Sequence, residues 1–236
     1  MADWSVFFLI ILLLSMGAHQ RNALWKSEVA LWKDCVQKSP RKERAHHNLG
    51  FAYHEQERWE DAQKEYEKAL CLNPHYSLSM YNLGLVYYQK GLLDESIRCY
   101  RKAVELDSNF PDSFYNLGIA YYQKGRYREA LGAYKECLEA KPDYENGNLN
   151  LGLVYKALGK REEAIHSFLE ELEGHPDNVH AFVTLGLVYK ESGDYRKALF
   201  YYKKALTFPD LRDAEEVQKA IASIEAAPRQ KKGKES

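Results

Sequence analysis

The tripeptide Asn-Leu-Gly begins at Asn48, Asn82, Asn116 and Asn150, and Thr-Leu-Gly begins at Thr184, each start 34 residues after the last. A chain that returns to one pattern at such a spacing is built from stacked copies of one supersecondary unit. Other positions keep the period. A tyrosine follows each glycine by three (Tyr53, Tyr87, Tyr121, Tyr155, Tyr189), and a small residue recurs at Ala62, Ser96, Ala130, Ala164 and Ala198. An aromatic recurs at Tyr66, Tyr100, Tyr134, Phe168 and Tyr202. Leu49, Gly50 and Tyr53 share one face of a first helix. Gly50, without a Cβ, lets a second helix approach closely, and Ala62 and Ala69 do the same from that helix. Pro74, Pro142 and Pro176 end the second helices, and Gly91, Gly125, Gly159 and Gly193 mark the turn inside each hairpin. A lone hairpin of this kind cannot bury its apolar face, so stability comes from its neighbours.

L-G-x-x-Y, then a small residue, an aromatic and a proline, over residues 43–212, resembles the tetratricopeptide repeat (TPR) family. The resemblance implies an all-α fold: a right-handed superhelical solenoid of five TPR hairpins at 43–76, 77–110, 111–144, 145–178 and 179–212. It implies binding of other proteins in a concave groove lined by the first helices, and no catalysis. Some positions depart from the pattern. Glu57 replaces the turn glycine, Ser108 replaces the proline with Pro111 three residues later, and Pro209 comes one place early. Glu171 occupies the small-residue position of Ala69, Ala103 and Ala205. A charge there is expected to snorkel outward or cost stability, making the junction of the fourth and fifth repeats the loosest.

Composition narrows the function classes. The 236 residues carry a formal net charge of -1, which argues against nucleic-acid binding through phosphate contacts. Of the 18 tyrosines, many belong to the repeat. Cys35, Cys71, Cys99 and Cys137 are widely spaced, without zinc-ligand spacing, and read as free thiols in helices. His46 and His47 are adjacent and cannot share a helical face, and His54 reaches His47 only loosely, so no metal site is expected. No nucleophile motif, phosphate loop or carboxylate pair stands out, so no cofactor and no small-molecule substrate are expected.

Both ends need covering. Downstream, 213–227 reads as a capping helix, with Asp213 and Glu216 as a capping box and Val217, Ile221 and Ile224 on one face. Residues 228–236 form a polar basic tail, read as disordered. Upstream, Trp25, Val29, Trp32 and Val36 share a face, and 21–42 reads as the second helix of an incomplete repeat ended by Pro40. Before it, residues 1–20 hold an uncharged run from Val6 to Ala18, which as a helix spans about 20 Å against a hydrocarbon core of roughly 30 Å. Three readings stand: a single-pass membrane anchor through residues 4–18 with Trp4 at the interface, a cleaved signal peptide, or a buried capping helix. The anchor is preferred, because Phe8 to Leu14 is too apolar for a helix with a wet face.

Arg21, Lys26 and Lys33 after this run, against Asp3 before it, would place the repeats in the cytoplasm. Arg21-Asn22, Trp25, Glu28, Leu31-Trp32, Lys38-Ser39-Pro40 and Arg44-Ala45-His46 are similar to the last-span/TPR junction of bacterial relatives of the transmembrane-and-TPR O-mannosyltransferases. That resemblance places the repeats outside the cytoplasm, so the two indications point to opposite sides. The catalytic acidic residues of that family lie upstream of the junction, so the resemblance implies a shortened or split relative carrying only the final span and the repeats.

The groove expected on the first helices carries Asn48, Asn82, Asn116 and Asn150, each offering donors and an acceptor to a peptide unit. They resemble the asparagine ladder of the O-linked N-acetylglucosamine transferase repeats, or are inherited structural residues. Tyr81, Tyr88, Tyr115 and Tyr122 add an aromatic patch. His47 and His54 lie to one side of it, Lys156 and Lys190 to the other. His47, Leu78 and Tyr81 stand where chaperone-binding relatives carry a carboxylate clamp, which argues against chaperone tails as ligands. The expected function is a membrane-associated scaffold that binds a protein or extended peptide. Alternatives are an accessory part of a membrane glycosyltransferase system and a freely soluble adaptor.

Overall fold

The structure is a computed structural model and describes residues 27–209 and 211–226. The apolar run at residues 1–20, Trp25 and the tail at 228–236 lie outside the described residues. Twelve α-helices and no strands are found among the described residues. They form two compact units that divide between Ser113 and Phe114.

In the first unit, α1 (Glu28–Lys38) packs on α2 (Glu43–His54). The latter pairs with α3 (Trp59–Leu72) as a hairpin, and α4 (Ser77–Gln89) pairs with α5 (Leu93–Leu106) as the next. The helix α6 (Pro111–Gln123) begins in this unit and continues into the second. The second unit continues with α7 (Tyr127–Ala140), then the hairpin of α8 (Gly147–Ala157) and α9 (Arg161–Gly174). A last hairpin of α10 (Val179–Glu191) and α11 (Tyr195–Ala205) leads to α12 (Ala214–Ala226). On α12, Val217, Ile221 and Ile224 are buried in the same core as Phe168, Leu185 and Tyr202. None of the described helices is long and apolar enough to cross a membrane.

The recurring residues meet as their chemistry requires. The aromatic of each second helix lies under the glycine of its first helix: a Cβ on Gly84 would stand 2.6 Å from Tyr100 Cε1, and one on Gly118 2.7 Å from Tyr134 Cε1. Tyr66, Tyr100, Tyr134 and Phe168 are fully buried as a result. The second helices stop two residues short of Pro74, Pro142 and Pro176. Where Ser108 replaces the proline, Pro111 instead opens α6, a position where its missing N–H costs nothing. The tip glycines Gly91, Gly125, Gly159 and Gly193 have φ between 70° and 80°, and Glu57 adopts the same left-handed turn with φ 55°. A side chain there strains the backbone by about 1 kcal/mol.

A second set of contacts closes each repeat where its second helix hands over to the next first helix. His47 lies 4.9 Å from Tyr76 and 5.6 Å from Tyr66, ring centre to ring centre. One period later Tyr81 lies 4.8 Å from Phe110 and 5.8 Å from Tyr100. In the second unit Tyr115 lies 4.7 Å from Tyr144 and 5.8 Å from Tyr134.

The fourth repeat closes differently and corrects the expectation for Glu171. Its carboxylate does not snorkel outward; the residue is 1% exposed. One oxygen accepts from the Asn146 N–H at 2.9 Å and the Asn178 side-chain amide at 2.8 Å, and the other accepts from the Leu149 N–H at 3.1 Å. His175 Nδ1 stands 3.2 Å from the first oxygen. Asn146 is the N-cap of α8 and Leu149 its third residue, so the carboxylate performs both halves of a capping box from a neighbouring helix. Its charge also faces the positive end of the α8 dipole. Asn146 takes φ 61°, a conformation that asparagine tolerates better than most residues. Asn178, in the place of Tyr76, Phe110 and Tyr144, also donates to Asn146 Oδ1 at 2.9 Å and caps α10 by accepting from the Ala181 N–H at 3.2 Å. The segment leading into the fifth repeat is therefore tied down by hydrogen bonds.

Candidate functional site

The candidate surface is the face of the first helices that bears the asparagines. In the first unit Asn48 is partly buried and Asn82 is buried. In the second unit Asn116 and Asn150 are partly buried, and Asn150 spends one amide proton on the Tyr115 hydroxyl at 2.7 Å. Tyr81 and Tyr115 are the closing rings described above, so only part of each faces outward. Burial raises the Tyr115 hydroxyl above the usual tyrosine range, against the pull of the Asn150 hydrogen bond. Tyr88 and Tyr122 are partly buried on the same face, and Tyr122 packs 5.3 Å from Tyr127. Each unit thus brings together two asparagines and two tyrosines, with hydrogen bonding or packing already using part of the set.

The sequence reading missed an apolar position on this face. Three residues after each asparagine, or after Thr184, stand Phe51, Leu85, Ile119, Leu153 and Leu187. Three residues along a helix keep one face, so within each helix this residue lies on the side of its asparagine or of Thr184. Phe51 is 45% exposed and Leu187 38% exposed, high values for such large apolar side chains. The signal was present in the repeat, as an apolar position immediately after the invariantly spaced glycine. A second missed position at the same 34-residue spacing holds Ala45, Ser79, Ser113, Gly147 and Ala181, all buried.

The polar groups of the first hairpin are committed to packing. His46 lies with Nδ1 2.6 Å from Glu65 Oε2 and Nε2 3.1 Å from the Pro40 carbonyl. His47 Nδ1 lies 2.8 Å from Ser79 Oγ, and His54 packs against Trp59 at 5.2 Å. The three histidines therefore face three different partners, and among the described residues no group of three metal-ligating side chains exists. The His47–Ser79 pair has the elements of a nucleophile and base, yet Ser79 is fully buried and no substrate atom can reach it. Burial pushes the Cys99 thiol up to about 12, which removes its nucleophilic form at neutral pH. Lys156 pairs with Glu191 at 3.1 Å.

Burial also lowers His47 to about 4, from an ordinary value of 6.5. The unfolded chain then takes up this proton before the folded one does. The contribution to stability is complete above pH 6.5 and shrinks as the pH falls towards about 4, reaching up to about 2 kcal/mol lost at pH 5. Denaturant unfolding at pH 7 and pH 5 is expected to show this loss. In His47→Tyr, which places here the ring of the next two repeats, the difference between the two pH values should shrink by the same amount. An unchanged difference refutes the assignment.

The comparisons agree with this geometry. The TPR repeat matches residues 52–91 and 84–125, and the tetratricopeptide repeat matches residues 111–144, 146–172 and 179–208. No curated protein matches the sequence. Among solved structures, the crystal structure of MamA is 26% identical, with 74% of this chain and 97% of that one covered and a TM-score of 0.65. YrrB, a TPR protein with an unusual peptide-binding site, is 23% identical over 80% of this chain and 97% of its own, with a TM-score of 0.68. PilF of Pseudomonas aeruginosa is 19% identical over 87% of this chain and 94% of its own, with a TM-score of 0.69. The last two likenesses bear on the fold alone. Stacked all-α hairpins with one recurring core define a TPR solenoid. The chain is a tetratricopeptide-repeat protein.

Proposed function

We propose that this protein is a non-catalytic scaffold that holds an extended segment of a partner protein against its first helices. The exposure of Phe51 in the first unit and of Leu187 in the second, each on the helix face that bears the asparagine or Thr184, carries this reading. Such apolar side chains give a peptide anchoring points within a unit, and Asn48 in the first unit and Asn150 in the second offer amide groups to its backbone. YrrB, with its peptide-binding site, supports the reading by likeness of fold. Tethering to a membrane by residues 4–18 belongs to the same proposal and rests on the sequence alone. The alternative of an accessory to a membrane glycosyltransferase rests only on the junction residues 21–50, and nothing in the geometry favours it.

A photo-crosslinking residue at position 51 is expected to capture a partner in cells, and one at the outward Lys102 is not. With that partner in hand, Phe51→Ala combined with Asn48→Ala, on the same helix, should weaken binding at least tenfold. Capture that is as strong from position 102, or unchanged affinity in the double variant, overturns the reading.

A further inference from the structure

The second helices of the last two hairpins carry opposite charges at equivalent places. On α9, Glu162, His166, Glu170 and Glu173 fall on one exposed face, with Glu163 beside them. On α11, Arg196, Phe200, Lys203 and Lys204 fall on one exposed face, and the helix contains no acidic residue. Glu162 and Arg196 stand one period apart, as do His166 and Phe200, and Glu170 and Lys204. Both helices turn their other side to one core, through Phe168 and Tyr202.

Little of this charge is used within the chain. Glu163 meets Lys160 at 3.5 Å and Lys203 meets Glu225 at 3.0 Å. Glu170 stands 3.7 Å from His166. Glu162, Glu173, Arg196 and Lys204 have no ion pair among the described residues. Phe200 is 55% exposed and Tyr195 48%, the two most exposed of the large apolar side chains described. A large exposed aromatic within a charged rim has the composition of an interface centre.

We propose that α9 and α11 together form a self-association surface, on which a second copy of this chain docks about a two-fold axis. The axis lays the basic face of each copy on the acidic face of the other and covers Phe200 twice, an isologous and closed arrangement. Charge complementarity selects this occupant. An anionic membrane drawn to α11 is repelled by the carboxylates of α9, and an acidic protein meets the same repulsion. The surface lies on second helices, so it is independent of the peptide-binding reading.

The test is sedimentation of the full chain in mild detergent. The wild-type chain is expected to dimerise in a concentration-dependent way, more weakly as salt rises. The variants Arg196→Glu/Lys204→Glu and Glu162→Arg/Glu170→Lys each make both faces alike, so each alone should dimerise at least tenfold more weakly. An equimolar mixture of the two variants restores complementarity on both faces and should form a heterodimer. Phe200→Ala should weaken the dimer with an unchanged helical circular dichroism spectrum. A monomeric wild-type chain, variants that still dimerise, or a mixture that stays monomeric overturns the proposal. So does a wild-type chain that stays monomeric but binds phosphatidylserine vesicles through Arg196 and Lys204, which assigns the face to a membrane.

Discussion

Glu171→Ala, which installs the residue found at positions 69, 103 and 205, is expected to destabilise the second unit by about 3 kcal/mol. By analogy among repeats the change should be favourable, since it replaces a buried carboxylate with the usual small side chain. The structure reverses the sign. Without the carboxylate, the N–H groups of Asn146 and Leu149 lose their acceptor, and the Asn178 amide loses one of its two. Buried donors left unpaired cost more than the desolvation they replace. Thermal or denaturant unfolding measures the loss, and hydrogen exchange locates it. The amides of Asn146 and Leu149 should be protected in the wild-type chain and exchange faster in the variant. Equal or greater stability of Glu171→Ala would show that the network contributes nothing net.

The second large effect concerns a single methyl group. Gly84→Ala should destabilise the first unit by about 2–3 kcal/mol. The new Cβ would meet Tyr100 Cε1 at 2.6 Å, Cδ1 at 2.7 Å and Cys99 Cβ at 3.3 Å. Tyr100 is fully buried, so its ring has no free space to move into. Gly132→Ala is the matched contrast. It lies within α7, exposed, with nothing within 4 Å of an added Cβ, and should stabilise by up to about 1 kcal/mol through helix propensity alone. Comparing the two variants by unfolding separates close packing from propensity. If both shift stability in the same direction, Gly84 does not hold its place by close approach.

Much of the fold was legible because repetition averages out accident. Gly50, Ala62, Tyr66 and Pro74 each carry weak meaning alone, but their recurrence at one spacing fixes which residues face one another. The same averaging hid what is particular to one repeat. Glu171 looked like a liability when compared with Ala69 and Ala103. The compensation lay in two other departures of the same repeat, Asn146 and Asn178, whose roles depend on backbone geometry that spacing does not show. The candidate surface was legible in part. The asparagine face can be read from the spacing, but Tyr81 and Tyr115 are largely taken up by Phe110 and Tyr144. A half-buried ring and a groove-facing ring have the same periodicity. Phe51 and Leu187 were missed because an apolar residue in a helical repeat reads first as core, and only exposure distinguishes it.

The closing contacts bear on how such a chain can be recombined. His47, Tyr66 and Tyr76 lie within one 34-residue period, and so do Asn146, Leu149, Glu171 and Asn178. A duplication or exchange cut at the period boundary carries each closure across whole. A cut between residues 146 and 171 separates Asn146 from Glu171 and leaves either a buried charge or a bare helix start. The fourth repeat can therefore be inherited as a cassette but not blended residue by residue with its neighbours.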